Sequence, residues 1–562
     1  MKLVRFKLHT KFRSLPKDFE LIFRNEFNLS DEKLNEFHPF CFAGLNGSGK
    51  SNVLEALSLI FFYLECSFSK YLPDEFNKTF EEKEIPFGFE LEYLIKKEGY
   101  MNPIQIFKQE NRPIEFYRTS KNNEIIRVST IPIRKGVNKA DAVAKQYLPD
   151  LVIGYSSGEN EILSLPFYKT RFTHFDNYKE SLLKEEEYNN KPLTSLVYID
   201  YSMSQAVLLA NFLMQEENND VENDVLYSIK KELDIEKLHS FRLVIRDTEI
   251  LSDKRTNVKQ VSKNLLSQLE TGTKTQLSII DKLKACSTCS FQVDNELILD
   301  YYVNLETKKA FQIHFNSPYE LFKNFQTLSE LNLHSVDSTV KNEIYVSDSM
   351  YISEKLPKPK GEDLTFYFNE FFIKKKGVKN TLLVKNLSDG EHQFLHSMGI
   401  CLMLKGKTAL LLLDEPETHF NPDWRSKFIS ILNDSLIRGK SDNSMRDILI
   451  TSHSPFIISD CFPNKVVVFK KGEQPINAMD MHFNTFGTSV NIVLEEIFKK
   501  EESIPNYSLS KLKEIRSRIF NSLEDIQKAK EDSRILGESP EKVFLFRDLI
   551  LKEEEIKKKS ND

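Results

Sequence analysis

The stretch from Phe40 to Leu57 constrains this chain more than any other. Phe40-Cys41-Phe42-Ala43 is an apolar run, Gly44 to Ser51 is a Gly-rich turn, and an apolar-periodic helix opens at once behind it. Gly44, Gly49, Lys50 and Ser51 satisfy G-x-x-x-x-G-K-[ST]. Glycines let a backbone curl so that successive N–H groups face phosphate oxygens, and the following helix aims its positive end at the same place. Lys50 is spaced to reach the β- and γ-phosphates, and the Ser51 hydroxyl to complete a Mg²⁺ shell. Asn46, Gly47, Ser48 and Asn52 complete the expected nucleotide contacts. A chain that carries this loop must place it between a buried strand and a helix, which predicts an α/β fold.

The rest of the composition narrows the class. At 562 residues more than one domain is expected. Hydrophobic content of 40% and charged content of 28% are those of a globular protein with large cores. A formal charge of -6 gives no global attraction to nucleic acid, so any such contact requires a local patch. No apolar run reaches the length of a bilayer span, and no membrane association is expected. Met1 to Lys7 alternates like a strand and lacks a signal-peptide core. Six scattered cysteines form no disulfide framework, which points to a reduced, cytoplasmic setting.

Along the chain, Leu3 to Leu8 and Phe19 to Phe23 read as strands. Phe87 to Ile95, Ile104 to Phe107, Ile114 to Tyr117 and Ile125 to Val128 read as an antiparallel sheet. The phosphate-loop helix is expected to stop near Pro73. Leu151 to Tyr155 is a buried strand ending in the polar turn Ser156 to Glu161. From about Phe172 to Lys376, charged helical stretches (Lys179 to Tyr188, Asn219 to Ile235) alternate with strand-like runs at Leu196 to Ile199, Phe241 to Ile245 and Leu297 to Val303. Gln205 to Met214 reads as a buried helix, and Pro357, Pro359 and Gly361 mark an exposed loop. The tail spaces Leu509, Leu512, Ile515, Ile519, Phe520, Leu523 and Ile526 on one helical face. Its last helix has a Ser539 cap and Pro540 at the first position.

Two further strands end in chemistry. Leu410 to Leu413 delivers Asp414-Glu415, and Asp447 to Ser452 delivers His453. A buried strand with two adjacent carboxylates at its tip suits phosphoryl-transfer hydrolysis. Asp414 would hold Mg²⁺, Glu415 would orient and deprotonate the attacking water, and His453 would read the γ-phosphate. The basic clusters Arg134-Lys135, Lys139 and Lys145, Lys374 to Lys376, and Lys355, Lys358 and Lys360 are more often solvated faces than nucleic-acid contacts.

Gly44 to Ser51, Leu387 to Gln393, Leu410 to Pro416 and Ile450 to His453 resemble, in order, the Walker A, signature, Walker B and switch-histidine motifs of ABC-type ATPases. More narrowly they resemble the RecF/SMC-like and OLD-like branch. The resemblance implies an ABC-ATPase head (a P-loop NTPase) split in sequence, with ATP and Mg²⁺ as cofactors. Residues 1–171 would be its N-terminal lobe with Walker A, 172–376 a mixed α/β insertion, 377–495 the C-terminal lobe and 496–562 a helical tail suited to partner docking. It also implies that Ser388 and Gly390 act in trans, two heads sandwiching two ATPs in a homodimer or higher even-numbered assembly. Two departures stand out: Asp389 replaces the usual second Gly of the signature, and Asn421 replaces the second His of Glu-Pro-Glu-Thr-His-Leu-His-Pro. The family's Q-loop glutamine has no assignable counterpart.

Long heptad helices of the SMC kind are absent. Cys286-Ser287-Thr288-Cys289 lacks the flanking coiled coil and internal Pro of a zinc hook, and a structural or incidental pair is expected. The segment after His453 does not suit a Toprim nuclease fold. The combination is similar to the ATPase subunit of Septu-type antiphage systems (PtuA), retron-associated versions above all; Tyr155 to Glu161, Glu415 to Arg425 and Thr485-Phe486-Gly487 add to the likeness. That resemblance implies a small PtuB-like HNH nuclease partner, and in retrons a reverse transcriptase with its branched RNA–DNA product (msDNA). The rival readings are a RecF-like DNA-repair ATPase that clamps DNA, and a non-hydrolysing ATP-locked scaffold.

Overall fold

The computed structural model describes residues 1–24, 37–68, 87–97, 99–109, 112–120, 122, 124–129, 143–157, 163–183, 195–200, 203–214, 224–251, 262–270, 277–347, 356, 360–404, 406–437, 445–500 and 502–561. The Pro73 helix stop, the Gly158 to Glu161 part of the turn, Arg134, Lys135, Lys139, Lys355, Lys358 and the Pro357 and Pro359 loop lie outside them. Two compact units are present, Met1–Asn484 and Thr485–Asp562.

The first unit is built on a seven-stranded sheet in the order Ile476–Asn477, Val466–Phe469, Phe40–Gly44, Arg446–Ser452, Ala409–Asp414, Leu151–Ser156, Leu196–Tyr198. Every pairing is parallel except that of the short edge strand Ile476–Asn477. Parallel strands are covered on both faces, so they read as unbroken apolar runs rather than alternating ones. Leu410 to Leu413 show it, at 0 to 1% exposure. In this register Asp414 lies beside Thr451 on one side and Ser156 on the other, and Ser452 lies beside Ala43. The carboxyl ends of four strands therefore meet at one edge, which is where open parallel sheets bind ligands.

A six-stranded antiparallel sheet, Glu20–Ile22, Lys2–Leu8, Phe89–Lys97, Tyr100–Lys108, Glu115–Thr119, Ile125–Val128, packs beside it. One core joins the two sheets through the Lys50–Phe68 helix, with Val53, Leu57 and Phe61 buried against Phe6, Leu91 and Leu449. A third, five-stranded antiparallel sheet runs Cys289–Val293, Glu296–Tyr302, Ile235–Arg246, Phe366–Lys375, Leu382–Leu383.

Several expected segment limits fall within elements of the fold. Residue 172 falls inside the Leu165–Leu183 helix, and Leu196–Tyr198, read from sequence as part of an insertion, adds an edge strand to the parallel sheet. Position 376/377 cuts a hairpin, because Leu382 and Leu383 pair back to Ile373 and Phe372. The second unit starts at Thr485 rather than at 496. Its expected single apolar stripe is two helices, Asn506–Arg516 and Leu523–Asp532, because Ser522 forms a capping box with Asp525 and starts a new helix. Ile519 falls in the break and is 82% exposed, while Leu512, Ile515, Ile526 and Ala529 pack with Leu545 and Leu549 of the Pro540–Asn561 helix. Ser539 caps that helix through the Lys542 N–H at 3.2 Å.

The two large sheets are pinned together by one buried carboxylate. Asp447, on Arg446–Ser452, accepts the Leu3 N–H at 2.6 Å and both Arg24 guanidinium nitrogens at 2.7 Å, with Lys2 Nζ at 3.7 Å. Burial raises this carboxyl, but Arg24 and Lys2 outweigh it and hold it below the usual carboxylate range. Removing one partner of such a group strands the other charges in the interior. Asp447→Ala is expected to cost about 3–5 kcal/mol of stability. Because the folded pKa is depressed, the contribution is full above the unfolded value of about 4 and is lost as pH falls through the folded one. Thermal unfolding of wild type and variant is therefore expected to converge in strong acid; a gap that stays constant with pH would contradict this account.

Candidate nucleotide site

The phosphate loop leaves the Phe40–Gly44 strand and runs directly into the helix that begins at Lys50. Gly44, Gly47 and Gly49 have φ of 142°, 72° and 106°, a region side chains avoid. At Gly44 the requirement is also spatial, since a Cβ would strike the Phe469 carbonyl of the neighbouring strand. Leu45, Asn46 and Gly47 are exposed at the lip, whereas Ser48, Gly49 and Lys50 are buried. The Lys50 ammonium folds onto its own loop, donating to Gly44 O at 3.0 Å and Leu45 O at 3.1 Å. Burial lowers its pKa, against the opposing pull of Glu415 and Asp414.

From the other side of the sheet edge come the acids. Ser51 Oγ donates to Asp414 Oδ1 at 2.7 Å, across a sequence separation of 363 residues. Thr451 Oγ1 donates to the same oxygen at 2.6 Å and accepts the Glu415 N–H at 3.0 Å. Burial raises the Asp414 carboxyl, and these two hydroxyls work against it. Glu415 adopts φ of 46°, a left-handed conformation costing a non-glycine residue roughly 1–2 kcal/mol. Its carboxylate lies 3.2 Å from His453 Nε2, and that bond holds the acid below its ordinary range.

The arrangement fits a triphosphate and a divalent cation. The left-handed glycine turn forms a cradle, and the buried Ser48 hydroxyl has no hydrogen-bond partner among the described residues. Lys50, Ser51 and Asp414 supply the cation and oxygen donors that such a ligand needs.

The structure thus brings together the loop, Asp414, Glu415 and His453. Other expected site residues are placed differently. Asn52 is engaged away from the loop: Oδ1 accepts from Ser14 and Nδ2 donates to Glu55 at 3.0 Å. Ser388 caps the Asp389–Met403 helix in a capping box with Glu391, which also pairs with Lys375. Ser388 and Asp389 are exposed, while Gly390 is buried, and a Cβ there would lie 2.8 Å from His419 O. Among the described residues no hydrogen bond joins Ser388 or Gly390 to the loop.

Three further contributors carry little signal in the sequence. Thr451 fixes both acids, but in the sequence it is one hydroxyl residue at a strand end. The Phe12–Leu15 turn braces the loop helix, with Ser14 on Asn52 and Arg13 Nε on Glu55 Oε1 at 3.1 Å. Glu417 is buried and accepts from Ser452 Oγ, and burial pushes its carboxyl up to about 7. Its only signal was the second acid of Glu415-Pro416-Glu417.

Comparison with known proteins agrees with this geometry in general terms. The family described as "AAA domain, putative AbiEii toxin, Type IV TA system" matches residues 311–459, a stretch that holds the Asp389–Met403 helix, Asp414, Glu415 and His453 but begins well before residue 377. Protein ea59 of Escherichia phage lambda is 26% identical over 121 residues, 22% of this chain and 22% of that protein. The chain thus matches about a fifth of that relative's length. Among the described residues no helix is long and apolar enough to cross a membrane. The match supports a generic AAA/ABC-like P-loop ATPase, a class that uses a nucleotide and typically Mg²⁺.

Proposed function

We propose that this chain binds ATP with Mg²⁺ at the Gly44–Ser51 loop and hydrolyses it slowly, as one head of a nucleotide-bridged pair. The bond between Ser51 Oγ and Asp414 Oδ1 carries the reading, because it sets the two expected cation ligands at one point from opposite ends of the sequence. Mg²⁺ would neutralise charge on the β- and γ-phosphates. Lys50 would exchange its two loop carbonyls for phosphate oxygens. Glu415 would take the proton of the attacking water, and His453 keeps it ionised. A base held below its ordinary pKa accepts a proton weakly, which supports slow turnover.

In the same proposal Ser388 and Gly390 act on the nucleotide of a second copy, in a homodimer or higher even-numbered assembly. The exposure of Ser388 at the N-terminus of a 15-residue helix supports this, since such an end attracts anions. The exposed Asp389 opposes closure by like charge, again favouring a slow cycle. The finer assignment, a cytoplasmic PtuA-like subunit of a Septu or retron antiphage system, rests on the ordered motif resemblance. It adds a regulated HNH nuclease partner and, in retrons, a reverse transcriptase with its msDNA.

Lys50→Ala is expected to weaken ATP binding at least about ten-fold, by loss of the phosphate-facing cation, read by fluorescent-nucleotide titration; unaltered affinity would remove the site assignment. Glu415→Gln is expected to bind ATP with wild-type affinity, to release phosphate at least about 100-fold more slowly, and to accumulate as a dimer in light scattering. Equal, negligible turnover in wild type and variant would favour the scaffold reading. Purification with the native neighbouring genes tests the finer assignment: a co-eluting HNH protein supports it, while tight duplex binding by the chain alone supports a DNA clamp.

A further inference from the structure

A buried hydrogen-bond chain behind His453 has no part in the mechanism above. Ser452 Oγ donates to Glu417 Oε1 and accepts the Ser454 N–H at 2.9 Å. One hydroxyl therefore grips the backbone on the far side of His453 while its own residue forms the near side. Ser452 and Ser454 are 0% and 4% exposed, and Glu417 is 4% exposed. On the Glu417 side the chain is a tight loop: Thr418 N donates to Glu415 O at 3.2 Å and Phe420 N to Glu417 O at 3.0 Å. The Glu417 carboxyl thus ties the loop that carries Glu415 to the strand end that carries His453. Those are the two residues whose side chains meet at 3.2 Å.

Packing gives no reason for an acid here. A buried carboxyl is costly unless its oxygens are satisfied, yet among the described residues Glu417 Oε2 has no hydrogen-bond partner, nor has the Ser454 hydroxyl. An apolar side chain would seal the same space at less cost. What the acid supplies is a directional acceptor for Ser452. We infer that Glu417 is a positioning residue for His453, acting through Ser452 to hold the imidazole against Glu415. The inference rests on the ATPase reading, since it assigns no contact between Glu417 and nucleotide. It matters because small misplacements of a catalytic group lower rate strongly while leaving binding intact.

Phosphate release and fluorescent-ATP affinity would be measured for wild type, Lys50→Ala, Glu417→Ala, Glu417→Gln, Ser452→Ala, His453→Ala and the double variant Glu417→Ala/His453→Ala. Glu417→Ala and Ser452→Ala are each expected to lower kcat about ten-fold with ATP affinity within about two-fold of wild type. Glu417→Gln keeps an oxygen for the Ser452 hydroxyl and is expected to retain kcat within about three-fold. In the His453→Ala background, Glu417→Ala is expected to remove less than about two-fold more, because the two act as one unit. Undiminished kcat in Glu417→Ala, additive losses in the double variant, or parallel loss of ATP binding would overturn the assignment. If Glu417→Ala does not fold, Glu417→Gln and Ser452→Ala decide by the same criteria. A wild type without turnover removes the ATPase reading itself, whereas an active wild type with an indifferent Glu417→Ala removes only this one.

Discussion

One carboxylate oxygen organises the site. Asp414 Oδ1 receives the hydroxyl of Ser51 from one side and that of Thr451 from the other, at 2.7 and 2.6 Å. Neither donor is its neighbour in sequence. Both reach it because Ala409–Asp414 sits in the middle of the parallel sheet, in register with Arg446–Ser452, and because the phosphate-loop helix starts one strand further along. A slip of one residue in that register would turn Asp414 to the other face of the sheet. The apolar run of Leu410 to Leu413 therefore does more than fill a core: its pairing on both edges fixes where the acid emerges.

The same logic explains why charge is buried so far from the nucleotide loop. Asp447 opens the strand that ends at Thr451 and His453, and its four contacts with Leu3, Arg24 and Lys2 attach that strand to the antiparallel sheet. A purely apolar contact between two sheets tolerates sliding, since dispersion and hydrophobic burial are nearly direction-free. A bidentate guanidinium–carboxylate pair does not. The interior charges specify alignment at an energetic cost that the large shared core offsets.

How much of this was legible in the chain depends on the kind of signal. The loop, the four-leucine strand and the strand before His453 were readable because each couples a strong periodic pattern to residue types with one chemical use. Thr451, Ser452 and Glu417 were not, because a hydroxyl or a second acid at a strand end acquires meaning only from what faces it across the sheet. Segment limits depend on the same kind of context. Leu196–Tyr198 looks like any short strand until its partner, Leu151–Ser156, is known, and the break at Ser522 hides inside an apolar spacing that a single helix would also satisfy.

Gly390 shows how one residue type can serve two demands that the sequence does not separate. The resemblance to signature motifs implies a glycine for close approach of a partner's phosphate. In the folded chain the glycine is buried, and its missing side chain admits the carbonyl of His419, while Gln393 Oε1, one helical turn on, accepts the His419 N–H at 2.9 Å. Phe394 packs on Trp424 and Phe420, with ring centroids 5.1 and 5.9 Å apart, and closes the same contact from beside it. The turn after Glu415 is therefore held to the start of the Asp389–Met403 helix by the His419 N–H, with the His419 carbonyl seated against Gly390. A glycine at 390 follows from this intramolecular contact alone, whatever the helix end meets in a second copy.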